Sequence, residues 1–129
     1  MHRFAVRVYY EDTDLAGIVY YANYLKFIER ARTEWVRGLG VDQGRLKAET
    51  GIVFAVRRVE ADYLSPARFD DVLEVRTELA ALSGARIELV QQVWRGDQQL
   101  FAARVGLVAL REDGRPARMP EALRAALAG

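Results

Sequence analysis

The stretch YEDTDLAGIVYYANYLKFIERARTEW, residues 10–35, joins an acidic segment to an amphipathic pattern. From Tyr24 onward, apolar residues recur at spacings of three and four, which is the period of one helical face. We expect this helix to span residues 22–37, starting just after the acids and stopping at Gly38 and Gly40. The pattern therefore predicts one long helix that buries one face against the rest of the chain.

Asp14 lies a few residues before the predicted helix start. A helix N-terminus exposes unpaired backbone N–H groups, which attract negative charge. Hydrolysis of an activated carbonyl needs donors that stabilise an oxyanion and a carboxylate that attacks or deprotonates water. An acid at this position is also common as a cap or turn residue, so position alone leaves both interpretations open.

The remaining segments predict an antiparallel sheet. Residues 3–10 alternate between apolar and polar side chains, and four later segments have strand character: 52–64, 72–82, 86–95 and 100–110. A phase slip near Arg57 predicts a β-bulge. Residues 41–51 are predicted as a loop or short helix, and Pro120 in the first turn of a short helix ending at Leu127. Because the apolar face of such a sheet needs a cover, the sequence favours an α+β fold with a curved sheet wrapped around the long helix.

Composition limits the possible functions. The chain has 129 residues, which predicts a single domain over residues 1–129. Nineteen basic and eighteen acidic side chains leave a net charge of +1, which gives no support for nucleic-acid binding. There is no cysteine, so disulfides, thiolate nucleophiles and cysteine-based metal sites are excluded. No apolar run is long enough to cross a bilayer and no secretory signal is apparent, so we expect a cytoplasmic protein.

The residue types present argue against two other kinds of site, a calcium-binding loop and a Ser-His-Asp triad. The sequence Asp12-Thr13-Asp14 starts like a calcium loop, but Ala16 and Asn23 occupy positions that need oxygen ligands and a glutamate. The chain has no G-x-S-x-G motif and its one histidine is His2, which argues against a Ser-His-Asp triad. We therefore expect no metal and no cofactor.

Two separated motifs carry a family resemblance: DTDLAGIVYYANYLKFIERART at 12–33 and YLSPARFDDVLEV at 63–75. Together they resemble the signature of hot-dog-fold thioesterases of the 4-hydroxybenzoyl-CoA type, and most of all the Tol–Pal-associated YbgC type of acyl-CoA thioesterase. The resemblance fits the whole chain in length and element order. It implies an antiparallel sheet around one central helix, and hydrolysis of acyl-CoA to free acid and CoA.

The resemblance also implies roles for three residues. Asp14 matches the position that acts as nucleophile or general base. Tyr21 matches the residue at the helix start whose backbone N–H polarises the thioester carbonyl. Gly17 matches the turn glycine, where a side chain would obstruct either the backbone geometry or ligand approach. Relatives often carry a histidine where this chain has Tyr21, so any role of that imidazole is absent here.

Further candidates surround these positions. Tyr10, Asn23 and Tyr24 are polar groups able to orient substrate or water, and packing or capping is an equal alternative for each. Family members have a basic run that grips the CoA phosphates, and the matching segment here, residues 83–86, offers only Arg86.

The family shape implies a homodimer whose sheets join edge to edge, with the acyl group at the interface between helix and partner, and pairing of dimers into a homotetramer. An exposed sheet edge favours a partner on physical grounds as well. Two alternatives stay open. One is a non-catalytic module that binds acyl chains or scaffolds a complex. The other is a thioesterase that acts on acyl carrier protein, which predicts a basic surface near the pocket.

Overall fold

One five-stranded sheet and one long helix make up most of the structure, a computed structural model that describes residues 1–129. The strands are β1 (His2–Arg7), β2 (Val53–Tyr63), β3 (Val72–Leu82), β4 (Arg86–Arg95) and β5 (Gln98–Leu110). The helices are α1 (Asn23–Gly38), α2 (Gln43–Thr50) and α3 (Glu121–Ala128). None of the three combines the length and apolar character needed to span a bilayer.

The sheet is antiparallel throughout, with strand order β1-β3-β4-β5-β2. Consecutive hairpins connect β3 to β4 and β4 to β5, as the turn residues predict. β5 lies between β4 and β2, inside the sheet, so both of its backbone edges are hydrogen-bonded. β1 and β2 form the two edges. The predicted α+β class is confirmed.

The apolar face of α1 packs against the sheet, and a buried polar bridge crosses this interface. Phe27 is fully buried, and Gln91 of β4 is buried directly beneath the helix. The Gln91 amide donates to the Ile28 carbonyl and to the Thr77 hydroxyl, both at 2.9 Å, and its oxygen accepts from Arg32 at 3.0 Å. Burial lowers the pKa of the Arg32 guanidinium. Every polar atom of the Gln91 amide thus has a partner, as a buried amide requires.

Several element boundaries differ from expectation. β1 ends at Arg7 rather than Tyr10, because Tyr10–Asp12 form a 3-10 turn in which the Asp12 carboxylate accepts from the Tyr9 N–H at 2.8 Å. α3 starts one residue after Pro120, which is its N-cap. Residues 41–51 were predicted as a loop or a short helix, and residues 43–50 form a short helix.

The predicted bulge in β2 is confirmed, with the register shift between Val56 and Arg58. Across this shift, the apolar residues of both halves face the same side of the sheet, opposite buried residues of β5. A second shift, between Leu79 and Ala81 of β3, was not predicted. Ala80 and Ala81 are small, and they blur the alternation that would reveal it.

The loop between β2 and β3, residues 64–71, is fixed by Asp71. Its carboxylate accepts from the Arg68 N–H and from the Arg95 guanidinium, both at 2.8 Å. Burial alone would raise the pKa of Asp71, but these two donors outweigh it and hold the pKa below its ordinary value. Ala67, inside the same loop, is completely buried.

Asp71 should make folding sensitive to acid. Because its pKa is lower in the folded state, its contribution is complete above the unfolded pKa of about 4 and is lost as pH falls through the folded pKa. We expect Asp71→Asn to lower the free energy of unfolding at pH 7 by about 1–2 kcal/mol, with a smaller gap from wild type at pH 3. Urea unfolding at both pH values measures this. Asp97→Asn, in an exposed turn, is the control, and a gap that does not change with pH would contradict the assignment.

Candidate active site

A tight turn presents the Asp14 carboxylate. The Asp14 N–H donates to the Ile18 carbonyl at 2.9 Å, and the Gly17 N–H donates back to the Asp14 carbonyl at 3.0 Å. One carboxylate oxygen of Asp14 accepts from the Ala16 N–H at 3.0 Å, as in an Asx turn. The side chain is therefore oriented through one oxygen, while the residue as a whole is exposed.

Gly17 makes this turn possible through its backbone conformation. Its φ is +79°, in the left-handed region that costs other L-residues about 1–2 kcal/mol. A Cβ built at this position meets no atom within 4 Å, so the chain itself leaves room for a side chain. The sequence suggested two reasons for a glycine here, the backbone geometry and the approach of a ligand. The positive φ supports the first.

The turn is docked against the loop that follows β2. The Val19 N–H donates to the Ala67 carbonyl at 2.8 Å, and Ile18 forms a bridge with Arg68. The Asn23 side-chain amide donates to the Asp12 carbonyl at 2.9 Å. Asn23 thus ties the start of α1 to the acidic segment.

The backbone just before α1 offers free donors. The Asn23 N–H donates to the Tyr20 carbonyl and the Leu25 N–H to the Ala22 carbonyl, whereas the N–H groups of Tyr21 and Ala22 have no acceptor within the chain. Unpaired N–H groups at a helix start are suited to binding a carbonyl oxygen or an anion. The Tyr21 N–H is therefore free to donate to a bound group, and its role as oxyanion donor stays a prediction.

A pocket of about 440 Å³ brings the carboxylate and this backbone together. Four tyrosines make up much of its wall. Its lining consists of Asp14, Ile18, Val19, Tyr20, Tyr21, Tyr24, Tyr63, Leu64, Ser65 and Pro66. Asp14 is the only carboxylate among them.

Three of the four tyrosines in the pocket have a raised pKa. The adjacent Tyr21 hydroxyl raises the pKa of Tyr20, and burial raises the pKa of Tyr24 and of Tyr63. Tyr24 is 3% exposed; its ring stacks on Phe101 with a centroid distance of 5.0 Å, and its hydroxyl accepts from the Ala67 N–H. The pocket therefore combines one negative charge with aromatic walls. No group of three or more His, Asp or Glu side chains gathers there or elsewhere in the chain.

Four of the five predicted substrate residues are absent from this lining: Tyr10, Gly17, Asn23 and Arg86. Gly17 and Asn23 contribute to the turn and to the start of α1 instead. Tyr10 is 83% exposed and packs its ring edge against Phe69. Arg86 lines a separate pocket of about 280 Å³, on the sheet face turned away from α1. Tyr20 and Tyr63 line the Asp14 pocket without having been predicted as site residues. Tyr63 belongs to the second sequence motif, which was the available signal.

The similarity of this chain to known proteins shows which family it belongs to. The family model described as "Thioesterase-like superfamily" matches residues 8–127. The chain belongs to this superfamily. This thioesterase-like chain is 43% identical over 101 residues to the acyl-CoA thioester hydrolase YbgC of Escherichia coli O6:H1, covering 78% of the chain and 75% of that protein. It is 46% identical over 102 residues to the acyl-CoA thioesterase YbgC of Haemophilus influenzae, with 79% and 75% coverage.

Solved structures agree with this assignment. A probable thioesterase from Bartonella henselae superimposes with a TM-score of 0.88 at 37% identity, covering 92% of this thioesterase-like chain and 98% of the other. A 4-hydroxybenzoyl-CoA thioesterase mutant, in complex with 4-hydroxybenzoyl-CoA, gives a TM-score of 0.91 at 24% identity, with 97% and 96% coverage, and so shares the fold. The predicted hot-dog fold and the family resemblance are confirmed.

The turn geometry of this thioesterase-like chain leads to a stability prediction. Gly17→Ala should lower the free energy of unfolding by about 1–2 kcal/mol, because alanine is strained at the positive φ. Gly38→Ala is the matched control. It adds the same methyl group in open space at the end of α1, without a positive φ, and should be neutral or stabilising by up to about 1 kcal/mol. Denaturant unfolding of both variants measures the difference, and equal effects would refute the conformational explanation.

Proposed function

We propose that the protein hydrolyses acyl-CoA thioesters to the free acid and CoA, with Asp14 as nucleophile or general base and the Tyr21 N–H as oxyanion donor. The observation that carries this proposal is the shared pocket of a lone carboxylate and an unpaired helix-start N–H. The names of the YbgC relatives, acyl-CoA thioester hydrolase and acyl-CoA thioesterase, support the substrate class.

The reaction needs two events at one carbon. The thioester carbonyl oxygen accepts a hydrogen bond from the Tyr21 N–H, which stabilises the charge that develops on it. Either Asp14 attacks the carbonyl carbon, giving an anhydride that water then cleaves, or Asp14 takes a proton from the attacking water. In both routes the C–S bond breaks, the thiolate of CoA leaves and accepts a proton, and one water is consumed for each acid released.

Asp14→Asn tests the proposal because it retains shape and removes the charge. We expect kcat to fall by about 10²- to 10⁴-fold on whichever acyl-CoA the wild type hydrolyses, measured as thiol release from short aliphatic, long aliphatic and aromatic substrates. Glu11→Gln, an exposed acid outside the pocket, is the control and should keep the wild-type rate. Equal rates in wild type and Asp14→Asn would remove Asp14 from the mechanism. Binding of acyl-CoA without turnover by wild type would favour the non-catalytic acyl-binding module.

The pocket around Arg86 is proposed to hold the CoA phosphates. Four arginines, Arg57, Arg58, Arg86 and Arg104, face two glutamates in its lining, a local basic excess that the balanced composition hides. β2 links the two pockets, since Tyr63 lines one and Arg58 the other, about 17 Å apart along the strand. An extended pantetheine arm that crosses this edge would connect them.

Arg86→Ala should raise the KM for acyl-CoA by about 3- to 10-fold, with kcat nearly unchanged, because a phosphate contact is made equally in the ground and transition states. The effect should vanish with the same acyl group on N-acetylcysteamine, which has no phosphate. Arg111→Ala, an exposed arginine outside this pocket, is the control. A KM effect that persists with the truncated substrate would contradict this role. Faster turnover of acyl carrier protein thioesters than of acyl-CoA would favour that carrier as the natural donor.

We also propose a homodimer that joins β2 edges, with dimers pairing into a homotetramer. β2 is an edge strand, and apolar residues on its helix-facing side stay exposed in the single chain: Val56 by 49%, Val59 by 38% and Tyr63 by 47%. A partner strand would cover them and pair the open backbone. The cytoplasmic location expected from the sequence stays a prediction.

A further inference from the structure

Tyr63 makes a hydrogen bond to the backbone of the proposed oxyanion donor. Its hydroxyl donates to the Tyr21 carbonyl at 2.8 Å, across 42 residues of sequence. No other donor in the chain reaches this carbonyl, because α1 closes its first backbone bonds one residue on either side, at Tyr20 and Ala22. The Tyr63 hydroxyl is therefore the sole internal partner of the Tyr21 carbonyl.

This contact matters because residues 20–22 lie outside regular secondary structure. The Tyr21 N–H makes no hydrogen bond within the chain, but it shares a peptide plane with the Tyr20 carbonyl, which accepts from the Asn23 N–H at 2.8 Å. The Tyr21 carbonyl belongs to the next peptide plane, together with the unpaired Ala22 N–H, and the Tyr63 hydroxyl is the only group in the chain that holds it. The two hydrogen bonds therefore restrain the backbone on both sides of the Tyr21 Cα. Donors in an oxyanion hole accelerate a reaction only when they are already aimed at the developing charge.

Tyr63 is itself held firmly. It lies at the end of β2 and pairs with Phe101 of β5 across the sheet. Its ring makes edge-to-face contacts with Phe101, Tyr24 and Tyr21, at centroid distances of 5.1, 5.4 and 6.2 Å. Tyr24 is buried in turn and stacks on Phe101. The hydroxyl is thus carried on a half-exposed ring that packs against the buried rings of Phe101 in the sheet and Tyr24 in α1.

We infer that Tyr63 is a positioning residue for the thioesterase reaction: its hydroxyl holds the Tyr21–Ala22 peptide, and together with the hydrogen bond from the Asn23 N–H to the Tyr20 carbonyl it keeps the Tyr21 N–H pointed at the thioester oxygen. The inference rests on the function proposed above, because the Tyr21 N–H is an oxyanion donor only if the pocket hydrolyses thioesters. The hydroxyl acts on the chemical step, while the ring shapes the pocket wall. The two contributions of Tyr63 are therefore separable by experiment.

Tyr63→Phe retains the ring and removes the hydroxyl. We expect kcat to fall by about 3- to 10-fold while KM changes by less than about twofold, since the lost restraint bears on transition-state stabilisation. The NMR order parameters of the Tyr21 and Ala22 amides should fall, most of all that of Ala22, because its N–H lies in the same peptide plane as the carbonyl that loses its anchor. Tyr9→Phe is the control: Tyr9 is 62% exposed, lies outside the pocket, and should leave all three quantities unchanged.

Asp14→Asn is measured alongside, so that the two hypotheses can fail separately. If Asp14→Asn loses activity but Tyr63→Phe keeps the wild-type kcat, the positioning role is wrong and the proposed function stands. If Tyr63→Phe changes only KM, Tyr63 contacts substrate and does not position the donor. If no acyl-CoA is turned over by wild type, the proposed function fails. The order parameters then test only whether the Tyr63 hydroxyl restrains this backbone. Unchanged values at Tyr21 and Ala22 would overturn that restraint.

Discussion

One backbone hydrogen bond, from the Val19 N–H to the Ala67 carbonyl, holds the two halves of the site together. Both residues are buried, and each belongs to a different sequence motif. The Val19 side supplies the Asp14 turn and the start of α1, whereas the Ala67 side follows the strand that carries Tyr63. The Ala67 N–H donates to the Tyr24 hydroxyl, so the loop is also attached to the helix. Together with the bridge between Ile18 and Arg68 and the hydrogen bond from Tyr63 to Tyr21, this junction keeps the pocket, the turn and the helix start in their relative positions.

The pocket has one acidic group and a wall made largely of aromatic rings. Asp14 is the only carboxylate in the lining, and three of the four surrounding tyrosines have a raised pKa. Asp14 is therefore the one acid in the lining that can attack a carbonyl carbon or accept a proton from water, and it lies beside free N–H donors. Four of the nineteen basic side chains line the separate pocket around Arg86, and none lines the Asp14 pocket. Asp14 therefore shares its pocket with no cationic side chain.

Sequence patterns predicted the elements well wherever apolar spacing was clear. α1 and the bulge near Arg57 were both visible, because periodic apolar residues flank them. The end of β1 was wrong, since alternation continues through Tyr10 while the local Asp12 carboxylate redirects the backbone. The roles of Asp14 and Tyr21 came from family resemblance and not from periodicity.

Contacts between distant residues needed the structure. Periodicity assigns a residue to a face, but it gives no distance between elements. The hydrogen bond from Tyr63 to Tyr21 and the absence of Tyr10 from the pocket lining are both of this kind. The position of Arg86 on the opposite sheet face is another example, since a turn residue can point to either side.

The buried Gln91 amide has a consequence for how α1 is aligned on the sheet. An interface made only of apolar side chains tolerates small rotations and translations of a helix, because apolar contacts are not directional. Gln91 binds the Ile28 carbonyl and Arg32, so any displacement of the helix would leave a buried amide unsatisfied. The Gln91 amide thus fixes the position of α1 on the sheet. Because α1 is a continuous helix, the amide also helps to fix the backbone at the start of the helix, next to the Asp14 turn. An apolar residue of equal volume would leave the Arg32 guanidinium and the buried Thr77 hydroxyl without this partner, so it would weaken both the stability of the interface and the alignment of α1.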